Sequence, residues 1–402
     1  MKKYLFLLLS LALLLTGCAG DQSPTANSPQ ERTPIVEKVE GLSQDFLLGA
    51  DISSLIALEN SGMVYHNFNH QPQELVSLLH DAGINALRVR VWNDPYDTKG
   101  NGYGGGNCDL QTAIAIGQRA MEYDMKLLVD FHYSDFWADP GKQQPPKAWQ
   151  DYSLSEKTAA IGAYTMESLQ AFRNAGIIVT MVQIGNETTG GFCGEWTPEG
   201  QYTLMAAAAK AVREFDPNIQ IAVHYTNPEK GGYTTFAQWL KDYKVDYDIF
   251  ASSYYPAWHG TLENLKSQLQ AVAENYGKQI MVAETAWDHT SYETNTAGAY
   301  PYSVQGQAKA IRSVVQTVHD AGGIGVFYWE PAWIELPNTS WEERAAIWEQ
   351  YGTGWASSYA GEYDPEDAGK YYGGSACVKQ ALFDENGYPL ESLMTFHDIR
   401  GS

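Results

Sequence analysis

The chain has 402 residues, with 26 basic against 48 acidic side chains and a formal net charge of −22. A field of that sign excludes nucleic acid and anionic membrane surfaces as natural partners. Aromatic residues make up 13% of the chain, including 12 Trp and 26 Tyr, a surplus that suits stacking on sugar rings as well as core packing.

The first segment is a targeting signal rather than part of the fold. Lys2 and Lys3 precede an apolar run from Tyr4 to Leu15 that is too short for an ordinary membrane span. Leu15-Thr16-Gly17-Cys18 then resembles the lipobox of a bacterial lipoprotein, which implies removal of residues 1–17 and a lipid on Cys18. The mature chain is therefore expected to be exported and lipid-anchored to a bacterial membrane, at the cell surface or on the periplasmic side. Residues 18–44 are rich in Ser, Pro, Thr, Asn, Gln and Glu and read as a flexible tether, leaving a single catalytic domain over 45–400. Cys108 and Cys193 lie in glycine-rich stretches and are candidates for a disulfide, which would leave Cys377 free. No CxxC or His-rich cluster points to zinc.

Eight strand-like runs follow, at 46–53, 86–92, 126–133, 178–187, 219–226, 247–256, 279–285 and 323–331. Amphipathic helical segments fall between them at 72–83, 109–124, 153–176, 200–217, 261–277 and 305–322; the third opens with the capping box Ser153 to Glu156. Near-continuous apolar strands alternating with helices predict a parallel sheet, and eight such units predict a closed (β/α)₈ TIM barrel. The alternative, an open doubly wound sheet, lacks its signature: no GxGxxG or P-loop follows any strand.

In such a barrel the reactive groups sit at the C-terminal strand ends. The eight ends carry Asp51; Arg88, Arg90 and Trp92; Asp130 and His132; Asn186 and Glu187; His224; Tyr254 and Tyr255; Glu284; and Trp329 with Glu330. Glu187 on the fourth strand and Glu284 on the seventh face each other across a barrel mouth. Two opposed carboxyls are what glycosidic hydrolysis requires, one as proton donor and one as nucleophile or base. Asn186 is placed to hold a sugar hydroxyl, Tyr255 to donate to Glu284, Arg90 and His132 to tune the carboxylates, and Trp329 to form a sugar platform.

Asn-Glu on strand four with Glu on strand seven resembles clan A of the retaining glycoside hydrolases. The stretches GADISS (49–54), LRVRVWNDPY (87–96), DFHYSDFWADPGKQ (130–143), VQIGNETTGG (182–191), SYYPAWHG (253–260), VAET (282–285) and FYWEPAW (327–333) resemble family 53, the endo-β-1,4-galactanases. So do YPYSVQGQ (300–307), GTGWASSYA (352–360) and ALFDENGYPLESL (381–393). The resemblance implies internal cleavage of the β-1,4-galactan side chains of pectin, with Glu187 as acid/base and Glu284 as nucleophile. It implies that Asn186 binds the 2-hydroxyl of the −1 sugar, that Tyr255 rather than Tyr254 orients the nucleophile, and that Arg90 (rather than Arg88), His132 and Trp329 complete that subsite. Asp51, Trp92, Trp137, Trp258 and Trp355 are candidates for distal galactose contacts. No cofactor is implied for catalysis, and a monomer is expected. Bacterial relatives often carry a calcium loop after the seventh strand. The stretch 286–300 offers Asp288 and Asn295 but not the tight Asp-Gly-Asp-Gly spacing, so any ion there is expected to be structural only. Two other readings stand beside this one: a clan A endo-glycanase acting on mannan or glucan, and a non-catalytic glycan-binding lipoprotein.

Overall fold

The computed structural model describes residues 32–291, 300–374 and 377–401. Eight parallel strands close on themselves in sequence order: β1 (Leu47–Asp51), β2 (Ala86–Val91), β3 (Lys126–Phe131), β4 (Met181–Ile184), β5 (Gln220–Tyr225), β6 (Ile249–Ser253), β7 (Gln279–Thr285) and β8 (Gly325–Trp329). β1 pairs with both β2 and β8, so the predicted (β/α)₈ barrel is the observed fold.

The outer layer comprises α1 (Leu55–Asn60), α2 (Leu75–Asp81), α3 (Leu110–Glu122), α4 (Leu154–Asn174), α5 (Pro198–Phe215), α6 (Tyr233–Asp242), α7 (Leu262–Tyr276), α8 (Val304–Asp320), α9 (Trp341–Tyr351) and the short α10 (Thr395–Asp398). The six helices expected from sequence begin at side-chain caps, including the reciprocal Ser153–Glu156 box and Pro198 at the first position of α5. α6 was not legible because Gly232, in the left-handed region, caps it without a side chain, and Tyr233-Thr234-Thr235 are weak helix formers.

Alternation sorts each strand. Leu47, Ala86, Leu128, Met181, Ala222, Ile249, Ala251, Met281, Ala283 and Phe327 pack into one apolar cluster inside the barrel, separate from the larger core between strands and helices. Gly49 belongs to the inward set, and its missing side chain is a packing requirement. A Cβ there would lie 2.1 Å from Phe327 Cδ1.

The tether expected to reach residue 44 ends earlier. Val36 and Val39 are buried, Ile35 N donates to Asp398 Oδ2 at 2.7 Å, and Val39 N donates to Ile399 O at 2.8 Å. Two isolated valines in a polar stretch carry no period, which is why this docking strand of coil read as linker.

Gly49→Ala is expected to destabilise the barrel by about 2 kcal/mol, because Phe327 must leave its rotamer. Urea melts of Gly49→Ala and of Gly49→Ala/Phe327→Leu test this: the second change should recover part of the loss. Equal midpoints for wild type and Gly49→Ala would contradict it.

Candidate active site

Above the apolar interior the next inward positions are polar. Asp51, Arg88, Arg90, Asp130, Gln183, His224, Ser253 and Glu330 are all buried, so each must find partners within the protein. Arg88 is the hub. Its Nη1 donates to Asp51 Oδ2 at 2.9 Å and its Nε to Gln183 Oε1 at 3.2 Å. Its Nη2 meets Asp130 Oδ2 at 2.8 Å, Asn186 Oδ1 at 2.8 Å and Glu284 Oε1 at 2.9 Å. Burial alone would lower its pKa; Asp130, Glu284 and Asp51 hold it well above the ordinary value.

Arg90 faces the same way, because residues two apart on a strand share a side. It pairs with Asp51 Oδ1 at 3.1 Å and Glu330 Oε1 at 2.7 Å, and its guanidinium lies over Trp137 at 4.7 Å. The expected preference for Arg90 as the cation beside the carboxylates is thus corrected: Arg88 touches Glu284, and Arg90 serves Glu330 and the aromatic wall.

Glu284 reaches the site through a break in alternation. Met281 and Ala283 point into the barrel, so a regular strand would turn Glu284 toward the helices. The β6–β7 register shifts between Ser252, which pairs with Val282, and Ser253, which pairs with Glu284. The extra residue re-aims the carboxyl inward. Glu187 arrives differently. Gly185 turns the end of β4 at φ +97°, and Glu187 itself sits at φ +45°, a left-handed conformation uncommon for glutamate.

Ser253 Oγ donates to Glu187 Oε1 at 2.6 Å and lies 3.5 Å from Glu284 Oε2. The two distances place those carboxyl oxygens within about 6 Å of each other, on either side of one hydroxyl, a close approach of the kind that lets one carboxylate attack while the other protonates. Tyr255 Oη donates to Glu284 Oε2 at 3.0 Å, as expected, while Tyr254 turns away to Gly260 O. Burial and then the Glu284 charge push the Glu187 pKa up to about 8. Burial also raises Glu284, but Arg88 opposes it, so the two carboxyls are driven toward unequal protonation.

A cleft of about 520 Å³ opens above the pair. Asn186, Glu187, Glu284, Tyr255, Arg90, His132, Trp137, Trp258, Trp329 and Trp355 line it, so most of the expected site residues converge. Trp258 stands at the rim, 72% exposed. Two candidates for distal contacts are corrected. Asp51 is fully buried between the two arginines, and Trp92 is fully buried with its Nε1 donating to His132 Nδ1 at 3.0 Å. His132 in turn bonds Asp130 Oδ2 at 3.0 Å, so it acts on the carboxylates only through Asp130 and Arg88. Asn186 is held rigidly, its Nδ2 donating to Ala138 O at 2.8 Å.

Sequence reasoning set Arg88 second to Arg90 and missed Gln183 and Ser253 as site residues. The signal was present: each is a polar residue at an inward position of a strand whose other inward residues are apolar. Cys108, Cys193 and Cys377 are unpaired and buried, so the candidate Cys108–Cys193 disulfide is not formed. Asp288 is half-buried after β7; Asn295 lies outside the described residues, and so does Cys18. Among the described residues no group of three or more His, Cys, Asp or Glu is gathered for a metal ion.

A closed barrel with two carboxyls at the ends of β4 and β7, close enough for one to attack while the other protonates, defines a glycoside hydrolase of the two-carboxylate kind. The model of glycosyl hydrolase family 53 matches residues 47–396, and the chain belongs to that family. It is 56% identical to the endo-beta-1,4-galactanase of Bacillus subtilis strain 168, over 90% of this chain and 87% of the relative. It is 31% identical to the arabinogalactan endo-beta-1,4-galactanase of Humicola insolens, over 87% of this chain and 98% of that one. Among solved structures, the family 53 catalytic domain of Ignisphaera aggregans superposes with a TM-score of 0.81 at 34% identity, covering 91% of this chain and 99% of that one.

Arg88→Lys keeps a charge but loses the planar fork that holds four strands. It is expected to cost on the order of 2–4 kcal/mol of stability and at least about 100-fold in kcat/KM. Wild-type activity in this variant would remove Arg88 from its place as hub.

Glu187 also links stability to pH. Its folded pKa lies above its unfolded value, so the folded state holds the proton more tightly than the unfolded one. Stability therefore falls as pH rises from the ordinary carboxyl range up to about 8. The melting temperature of Glu187→Gln minus that of wild type should grow between pH 5 and pH 8 and then level off. A constant difference would contradict the raised value.

Proposed function

We propose that this protein is a retaining endo-β-1,4-galactanase that cuts the galactan or type I arabinogalactan side chains of pectin. The observation that carries the reading is the Glu187–Glu284 pair, bridged by one serine hydroxyl beneath a tryptophan-lined cleft, in a chain of family 53. The names of the relatives from Bacillus subtilis and Humicola insolens supply the substrate class.

Glu187, protonated, gives its proton to the leaving glycosidic oxygen while Glu284 attacks the anomeric carbon, forming a glycosyl ester. Glu187, now charged, takes a proton from water as that water displaces Glu284 from the sugar. Tyr255 and Arg88 hold Glu284 in its charged form and fix its orientation. Asn186, locked between Arg88 and Ala138, presents its amide beside the acid/base as the contact for the 2-hydroxyl. Trp329 and Trp137 form the platform for the −1 ring. Arg90 and His132 complete that wall, and Trp258 and Trp355 extend the stacking surface along the polymer. The two carboxyls and water account for both steps without a cofactor.

The lipobox at Leu15–Cys18 and the polar stretch after it support export with lipid anchoring through Cys18. A monomer suits an enzyme whose open cleft must admit a polymer.

The test is release of reducing sugar from β-1,4-galactan beside β-mannan, xylan and cellulose. Wild type should act on galactan alone, with the alkaline limb of kcat/KM near pH 8 where Glu187 loses its proton. Glu284→Ala should lower the rate at least about 10⁴-fold. Glu187→Gln should regain turnover of an aryl galactoside when azide replaces water as nucleophile. Release from mannan or cellulose instead would move the substrate. Binding of galactan with no release from any polymer would make the barrel a glycan-binding protein.

A further inference from the structure

Ser253 is the last residue of β6, fully buried, and it faces inward by the same alternation as Ile249 and Ala251, while the register shift on β7 brings Glu284 opposite it. Its Oγ is in contact with both carboxyls. It also meets His224 Nε2 at 2.9 Å.

The proton on that imidazole can be assigned from its other side. The backbone N–H of Glu187 points at His224 Nδ1 from 3.3 Å and cannot rotate away. Gln183 Nε2 lies 3.0 Å from the same nitrogen, and its amide orientation is fixed because Nε2 also donates to Asp130 Oδ1 while Oε1 accepts from Arg88. A third neighbour, Asn186 Oδ1, lies 3.0 Å away and accepts from Arg88 Nη2; a hydrogen on Nδ1 directed at it would face the fixed Glu187 N–H. The second hydrogen of Gln183 Nε2 is shared among Nδ1, Gly185 O and Asn186 Oδ1, so it is the Glu187 N–H that makes Nδ1 the acceptor; Nε2 then carries the hydrogen and donates it to Ser253 Oγ. Burial beside Arg88 keeps the ring neutral. A serine hydroxyl that receives a hydrogen bond from His224 must direct its own proton elsewhere, and the two carboxyls are within its reach.

We infer that Ser253 is a positioning residue that serves the two carboxylates in turn, donating its proton to whichever of Glu284 and Glu187 carries the charge, with His224 holding it in that role. The inference rests on the double-displacement reading above. Before attack Glu284 is charged and Glu187 protonated, and the hydroxyl swings to Glu284 Oε2. Once Glu284 is esterified to the sugar it has no charge, and Glu187 has given its proton to the leaving oxygen. The hydroxyl then turns its proton to Glu187 Oε1, whose oxygen lies 2.6 Å from Ser253 Oγ. The Ser253 proton never leaves its oxygen; only the C–O bond rotates. Glu284 has Tyr255 and Arg88 as fixed donors in addition, whereas Glu187 depends on the hydroxyls of Ser253 and Thr226. The second step, in which Glu187 is the charged base, should therefore depend on Ser253 more than the first.

The experiment compares wild type, Ser253→Ala and Ser253→Thr in two measurements. Carboxyl ¹³C NMR follows the titration of Glu187 without substrate. Stopped-flow release from an aryl β-1,4-galactobioside with a good leaving group separates the two steps. The charged groups facing the pair (Asp51, Arg88, Asp130 and Asp139) and the titratable His224 and Tyr255 are the same in all three proteins. Losing one hydrogen bond to the charged form should raise the Glu187 titration by about one pH unit in Ser253→Ala. The variant should show a burst of leaving group followed by steady turnover slowed about tenfold, and Ser253→Thr should restore both. An active wild type with the Glu187 titration unmoved in Ser253→Ala, or both steps slowed in equal proportion, overturns the proposal alone. A wild type that leaves the aryl galactobioside intact overturns the functional reading and the proposal with it.

Discussion

The buried guanidinium of Arg88 is the constraint on which the barrel mouth depends. It ties Asp51 on β1, Asp130 on β3, Gln183 on β4 and Glu284 on β7, and it fixes Asn186 just past β4. A planar group with five donors can hold that many acceptors at once; an ammonium cannot. Each acceptor is therefore placed by a partner that cannot rotate out of register, and the strands carrying them are held at one height. Buried ion pairs add little stability over a well-packed apolar core, so the function of this network is geometric.

The network is short of positive charge. Asp51, Asp130, Glu284, Glu330 and Glu187 share two guanidiniums, because His224 is neutral and the carboxyl that His132 bonds is Asp130. The shortage falls on the two carboxyls farthest from Arg88. Glu330, buried against Ser54 and Arg90, is pushed up to about 7, and Glu187 at the mouth to about 8. Burial raises Glu284 too, but its direct contacts with Arg88 and Tyr255 oppose that rise and favour its charged form. A nucleophile and a proton donor thus arise from two glutamates by their distance from one cation.

Much of this was legible in the residues. Strand and helix periods gave the barrel, and the polar strand ends gave Glu187, Glu284, Asn186 and Tyr255. What was not legible has identifiable causes. Arg88 and Arg90 share a face, so alternation could not choose between them; only the depth of each below the mouth does. Strict alternation would have placed Glu284 on the wrong side, and the bulge at Ser253 that rescues it leaves no mark in composition. Trp92 was a candidate for a distal galactose contact because a tryptophan at a strand end can stack on sugar, but it serves equally well as a buried prop, here for His132. Val36 and Val39 were too few to reveal that the supposed tether docks on the barrel. Ser253 was passed over because a serine next to two tyrosines shows nothing of its neighbours across the barrel.

The central claim is that the two glutamates lie close enough for attack by Glu284 itself rather than by a water held between them. Proton NMR of the first-formed reducing end, recorded before mutarotation, tests this most directly. The account predicts that galactan cleavage yields the β-anomer first. Initial appearance of the α-anomer would show that water attacks in a single displacement and would contradict it.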